Sequence, residues 1–263
     1  MLIKVTNQCA MKCKHCMENS LPNTGQHMSM ETFKKAFALS QRLEVYAPFY
    51  KFILFSGGEC SENPELPAMM DYVLEAGWHV QLITNGTWLR DPALRNSIMA
   101  PHRMQFFKDK RIFIQVSNDP EFYPTPVVVS PRWQRMMNIS IASRLIKLLP
   151  LGRWTEAKNA TIPPLDAPSS FNFRSATRHQ GDVRLAIKYL RLRTLEGRGG
   201  HCSPNIDHKG ILRAGESNAC AEVGTVDSTV EEVTHNVINM GECNRCTLEK
   251  KLPVPYREAL GLK

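Results

Sequence analysis

The stretch NQCAMKCKHCMENS, residues 7–20, places Cys9, Cys13 and Cys16 within eight residues. Thiolates at that spacing bind soft metals, either zinc or an iron–sulfur cluster. A structural zinc site wants four closed ligands. His15 is a fourth donor in reach of the sequence, but it adjoins Cys16, and neighbouring residues rarely both reach one metal. Three thiols without a fourth suit an iron–sulfur cluster with one iron left open for another ligand.

Outward from this stretch, short apolar runs alternate with amphipathic ones. Residues 3–5 read as a strand, and 29–45 as a helix with Ser29 at its N-cap. Residues 51–56, in KFILFSGGE, read as a strand ending in a glycine turn. A helix over 63–76 closes at Gly77. Residues 79–84, in HVQLITNG, read as a strand ending in an Asn-Gly turn, and Asp91-Pro92 opens another helix. Residues 111–117 read as a fourth strand. The alternation predicts βαβ units in a parallel sheet or barrel. Residues 119–133 carry four prolines and read as loop with at most a short strand. A strand is expected around 144–153, a long crossing loop over 155–180, a helix over 181–195, and a hairpin turning at 208–210.

The 263 residues are 43% apolar and 22% charged, ordinary for a globular chain long enough to bury a substantial core. No apolar run approaches the roughly 20 residues that span a bilayer. The N-terminal MLIKVTNQC has no signal-peptide apolar region, so a cytoplasmic location is expected. Eight cysteines are too few for a disulfide scaffold in a chain of this size, and in a reducing compartment they point to metal or catalysis. The net charge of +8 reads first as a solvated basic surface, and second as a sign of an anionic partner. The densest basic stretch, residues 184–201, keeps its apolar residues at helical spacing, so its arginines can simply cover a helix's outer face.

The triad Cys9-x3-Cys13-x2-Cys16 just after the first strand is followed by FSGGE, ITNG and VSND at the next three strand ends. In this combination the chain resembles the radical S-adenosylmethionine (radical SAM) superfamily over residues 1 to about 155. The resemblance implies a partial (β/α)6 TIM-like barrel in which Cys9, Cys13 and Cys16 hold a 4Fe–4S cluster. S-adenosyl-L-methionine would chelate the open iron and be cleaved reductively to a 5′-deoxyadenosyl radical that takes hydrogen from a substrate. His15 would pack near the adenine, and Gly57, Gly58 and Glu59 would meet the methionine amino group. Ser117 would bond the ribose or carboxylate, and Arg132 would pair with the carboxylate. Related chains commonly have proline where this one has Cys60, which reads as a buried free thiol beside the site.

The remaining cysteines, Cys202, Cys220, Cys243 and Cys246, resemble a twitch-type auxiliary-cluster domain, the shortened relative of the SPASM domain. That implies three regions: a core over 1–160, a connecting loop and helix over 161–198, and an auxiliary 4Fe–4S domain over 199–263. A second cluster with no open iron favours an electron-accepting role, hence a two-electron oxidation. The bland alternative is a zinc site that only holds the tail together. Arg153, at a predicted strand end, is the candidate catalytic residue, by likeness to a twitch-bearing dehydrogenase. Glu62, Asp119, His201 and Tyr123 are further polar residues near the expected cavity, each with a surface or capping role as its plainer reading.

The leading expectation is therefore a radical SAM oxidoreductase, with a small-molecule dehydrogenase favoured. A peptide maturase making cross-links or epimers is the alternative within this class. A basic zinc protein binding nucleic acid is the alternative outside it, and it leaves GGE and VSND without a role. A third alternative is an electron-transfer protein with no substrate. Expected partners are a small-molecule or peptide substrate and an electron donor such as flavodoxin or ferredoxin, with no membrane and no nucleic acid.

Overall fold

Residues 1–13, 16, 18–23, 25–44, 51–117, 123, 125–142, 204–215, 218 and 220–239 are described by the computed structural model. Alternation of apolar residues builds its sheet. In β1 (Leu2–Thr6), β2 (Phe52–Gly57), β3 (His79–Thr84) and β4 (Ile112–Ser117), every second residue is fully buried. Parallel register aligns these residues in rows: Ile3 with Phe55, Phe55 with Leu82, and Leu82 with Ile114. Helices cover that face, with α1 (Met30–Glu44) supplying Phe33 and Phe37 and α2 (Leu66–Glu75) supplying Met69, Met70, Val73 and Leu74 to one shared core. The opposite face carries half-buried Gln81, Phe113 and Gln115, with Gln81 donating to Gln115 at 3.2 Å.

The strand order is β5-β4-β3-β2-β1-β6-β7-β8 among the described residues, open at both ends. β1 to β5 are parallel neighbours, as the sequence predicts for βαβ units. The sheet is mostly parallel and not closed among the described residues, which agrees with the expected partial barrel. A hairpin then extends it on the far side of β1. Its first strand, β6 (Asn205–Ile206), lies parallel to β1, and β7 (Ile211–Arg213) and β8 (Glu222–Thr225) follow antiparallel. The predicted turn is present: Gly210 has φ +82°, and Asp207 Oδ1 accepts the Lys209 and Ile211 amides. The chain continues into a last described helix at Val230–Asn239. The described part of the cysteine-bearing tail thus continues the core sheet.

Local signals set the helix ends. Ser29 Oγ accepts from the Thr32 amide, as an N-cap should. Asp91 caps α3 (Pro92–Ile98) by accepting from Ala93 and Leu94. Gly77, at φ +80°, closes α2. The helix expected over 63–76 begins only at Leu66, because Asn63 is spent elsewhere: its Oδ1 accepts from Glu65, while its Nδ2 donates to Val5 and Met28 carbonyls. After α4 (Met104–Lys108) and β4, the proline-rich region differs from the sequence reading. Ser130-Pro131 opens a helix, α5 (Pro131–Met136), and β5 (Ile139–Ala142) follows directly. The strand expected around 144–153, the loop over 155–180 and the helix over 181–195 lie outside the described residues. Among the described residues no helix is long and apolar enough to cross a membrane.

One ion pair fastens α2 to the helical layer beside it. Arg103, 3% exposed, donates to both Asp71 oxygens and to the Ser97 and Pro67 carbonyls. Burial alone would raise the Asp71 carboxyl, but the hydrogen bonds from Arg103 and His102 outweigh it and hold the group below its ordinary 3.8. A depressed acid stabilises the fold above its unfolded pKa and loses that contribution as pH falls through its folded value. Arg103→Met should cost about 2–3 kcal/mol near neutral pH, because it strands these acceptors. In urea titrations the gap to wild type should shrink below pH 3.8. A pH-independent gap would show that the lost packing, not the ion pair, carries the effect.

Candidate functional site

The loop after β1 leaves the sheet at Asn7 and returns at Met28. Its two limbs are tied by Asn7 N–H to the Gln26 carbonyl, Cys9 N–H to the Leu21 carbonyl, and Met28 N–H to the Val5 carbonyl, at 2.9, 3.1 and 2.8 Å. This closed loop carries Cys9, Cys13 and Cys16. Glu62 pins it from the neighbouring strand end by accepting the Ala10 amide at 2.8 Å. Behind it, the buried Lys4 ammonium pairs with Glu18 at 2.6 Å and also donates to Asn218 Oδ1 in the β7–β8 loop. Glu18 in turn accepts the Asn218 amide.

Against this loop sits the turn Gly57-Gly58-Glu59. The Gly58 amide donates to the Thr6 carbonyl and the Glu59 amide to the Gln8 carbonyl, at 2.9 and 2.8 Å. A Cβ at Gly57 would fall 2.3 Å from the Thr6 oxygen, and one at Gly58 would fall 2.1 Å from the Gln8 oxygen. Real Cβ atoms do not approach backbone oxygens so closely. Gly57 also has φ +137°, a conformation that L side chains rarely adopt. In this structure the close approach of the Thr6 and Gln8 backbone requires glycine at both positions.

The Glu59 carboxylate points inward and is fully buried. Its Oε1 accepts from Thr84 Oγ1 at 2.6 Å, Ser61 Oγ at 2.7 Å and the Ser61 amide, and its Oε2 accepts the Asn85 amide at 2.7 Å. Burial raises its pKa, partly offset by these donors. Glu59 therefore joins the end of β2 to the end of β3. Cys60 is also fully buried, with its thiol facing the Ile83 carbonyl and the Glu59 carboxylate; burial first, and then the Glu59 charge, push that thiol well above the ordinary range.

Cys9 and Cys13 are 8% exposed and pack with Met11 in one apolar patch, against which Cys16 and Tyr123 rest. The Met11 amide and Asn85 Nδ2 both donate to Cys9 Sγ, at 3.4 and 3.7 Å. Burial pushes the Cys9 thiol up to about 12, with the Glu59 and Glu62 carboxylates adding to the rise. Among the described residues no three His, Cys, Asp or Glu side chains converge on the position of a single ion. Three thiols sharing one apolar patch at strand ends are nevertheless a donor set suited to an iron–sulfur cluster, whose ligands are thiolates.

Ser117 ends β4 on the face that carries Gln115, and is 6% exposed. Arg132 lies exposed in the first turn of α5, and Ser130 caps that turn. Cys220 is half-buried between β7 and β8, and its carbonyl accepts from Arg213. His15, Arg153, Cys202, Cys243 and Cys246, with Asp119 and His201, lie outside the described residues. Sequence reasoning assigned no role to Asn85, Thr84 or the Lys4–Glu18 pair. The ITNG strand end held the signal for the first two.

Residues 3–125, a little under half of the chain, match the family model described as Radical SAM superfamily. That family implies a 4Fe–4S cluster and S-adenosylmethionine. The subtilosin biosynthesis protein AlbA of Bacillus subtilis, an antilisterial bacteriocin biosynthesis protein, is 31% identical over 94 residues, covering 35% of this chain and 19% of its own length. The 7,8-dihydro-6-hydroxymethylpterin dimethyltransferase of Methanocaldococcus jannaschii is 31% identical over 90 residues, covering 34% and 17%. The matched part is thus under a fifth of either relative. Similar solved structures include native anSMEcpe with bound AdoMet and Cp18Cys peptide, at TM-score 0.45 and 13% identity over 93% of this chain and 80% of that one. The polyhistidine-tagged anSMEcpe with bound AdoMet gives TM-score 0.47 at 12% identity over the same shares.

Gly58→Ala should drive the GGE turn away from the cysteine loop. It should lower the melting temperature by several degrees and reduce iron bound on reconstitution, because the Gln8 carbonyl occupies the Cβ position. Gly77→Ala, with open space around its Cβ and its own positive φ, is the control for backbone strain alone. Equal losses of iron in the two variants would refute the role of the close contact.

Proposed function

We propose that this chain is a radical SAM oxidoreductase that removes two electrons from a small-molecule substrate. The observation that carries the reading is the shared patch of Cys9, Cys13 and Cys16, held by a doubly tied loop against the GGE turn. In this reading the three thiols hold the first cluster, and Gly57, Gly58, Glu59, Ser117, His15 and Arg132 form the S-adenosylmethionine site. The tail cysteines Cys202, Cys220, Cys243 and Cys246 hold the second. When bound, the first cluster with S-adenosylmethionine supplies hydrogen-atom abstraction, and the second supplies a one-electron acceptor.

The protein's own residues orient and enclose. The sheet face carrying Gln81, Gln115 and Ser117 offers hydrogen-bonding groups to a polar substrate beneath the strand ends. Arg153 is assigned to orient or deprotonate a substrate hydroxyl. Support for a functional tail comes from its attachment: β6 pairs with β1, and Asn218, two residues before Cys220, bonds both members of the Lys4–Glu18 pair. A flavodoxin or ferredoxin is the proposed electron donor.

Peptide maturation is the second reading, favoured by the similarity to a bacteriocin biosynthesis protein. The test is anaerobic reconstitution, then reduction with S-adenosylmethionine and panels of polar alcohols and short peptides. The expected result is a brown protein with about eight irons per chain, for two 4Fe–4S clusters, and a product two mass units lighter. Cys9→Ala should abolish 5′-deoxyadenosine. Cys220→Ala should keep its formation while losing the oxidised product. A colourless, zinc-bearing chain would overturn the reading, and product formation from peptides alone would move it to maturation.

A further inference from the structure

We propose that Asn85 is a hydrogen-bond donor to the sulfur of Cys9 and thereby sets the reduction potential of the cluster held by Cys9, Cys13 and Cys16. The inference rests on the cluster reading of that triad and adds a residue from another strand end to it. The amide's orientation is fixed by its neighbours. The Thr87 backbone amide, which can only donate, points at one Asn85 terminal atom at 2.9 Å, and the Thr87 hydroxyl reaches the same atom at 2.7 Å. That atom must be the oxygen. The NH2 group is left facing Cys9 Sγ at 3.7 Å. The backbone of Asn85 is also fixed, since its amide donates to the buried Glu59 carboxylate. Asn85 is 7% exposed, so little water competes for the sulfur.

A donor to a ligand thiolate stabilises the more negative, reduced cluster more than the oxidised one, so it raises the potential. Among the described residues two N–H groups reach Cys9 Sγ; the Met11 amide belongs to the backbone, and Asn85's is the side-chain donor that Leu or Ala removes. The experiment is an EPR-monitored redox titration of the anaerobically reconstituted full chain, with Asn85→Leu and Asn85→Ala beside wild type. Alanine at Cys202, Cys220, Cys243 and Cys246 in each background isolates the first cluster. Both substitutions should retain iron and shift the midpoint to lower potential. Iron-loaded variants titrating with the wild type would overturn the proposal, as would failure of both to load iron, which would make Asn85 a structural residue. Absence of any iron–sulfur signal in wild type would instead defeat the cluster reading itself.

Discussion

The site depends on one contact: two successive glycines laid against the backbone of the loop that follows β1. Oxygens of Thr6 and Gln8 occupy the space where side chains at positions 57 and 58 would begin. The amides of Gly58 and Glu59 then bond to those same oxygens. Parallel strands normally share hydrogen bonds only along their length, and here the pairing of β1 with β2 continues past the strand ends into the two turns. The cysteine loop thereby inherits the rigidity of the sheet, which a loop of its length would not have alone.

From that contact the rest of the site is organised in order along the sheet. Glu59 carries the connection from β2 to β3 through Thr84 and Asn85, and Asn85 returns it to Cys9. Glu62 and Asn63, in the turn that follows, hold the two limbs of the cysteine loop through Ala10, Val5 and Met28. A buried carboxylate is costly unless its acceptors are filled. Among the described residues the donors to Glu59 come from the turn after β2 and the end of β3, so that cost enforces their alignment. Apolar burial of the thiols disfavours free thiolate, as the raised Cys9 shows. A metal that binds thiolate must therefore supply the compensating charge.

Much of this was legible in local sequence. Short apolar runs ending in turn signals located the first four strands, Ser29, Gly77 and Asp91-Pro92 marked helix ends, and the turn at 208–210 was read from its residues. The Cys9, Cys13, Cys16 spacing and the GGE turn marked the site. What local sequence hides is partnership across distance. Nothing near Glu59 says that its carboxylate turns inward to Thr84, and nothing near Lys4 announces Glu18 or Asn218. The prolines between 119 and 133 masked α5 and β5, although Ser130-Pro131 is itself a helix-opening pair. Cys60, read as a buried free thiol, is buried against Ile83 and Glu59.

The central claim is that the amino-terminal thiols hold a cluster with a vacant iron for S-adenosylmethionine. It is tested most directly by EPR of the reduced protein carrying alanine at Cys202, Cys220, Cys243 and Cys246. With only the first triad left, the account predicts one 4Fe–4S signal whose g-values change when S-adenosylmethionine is added. A signal indifferent to S-adenosylmethionine, or no signal at all, would contradict it.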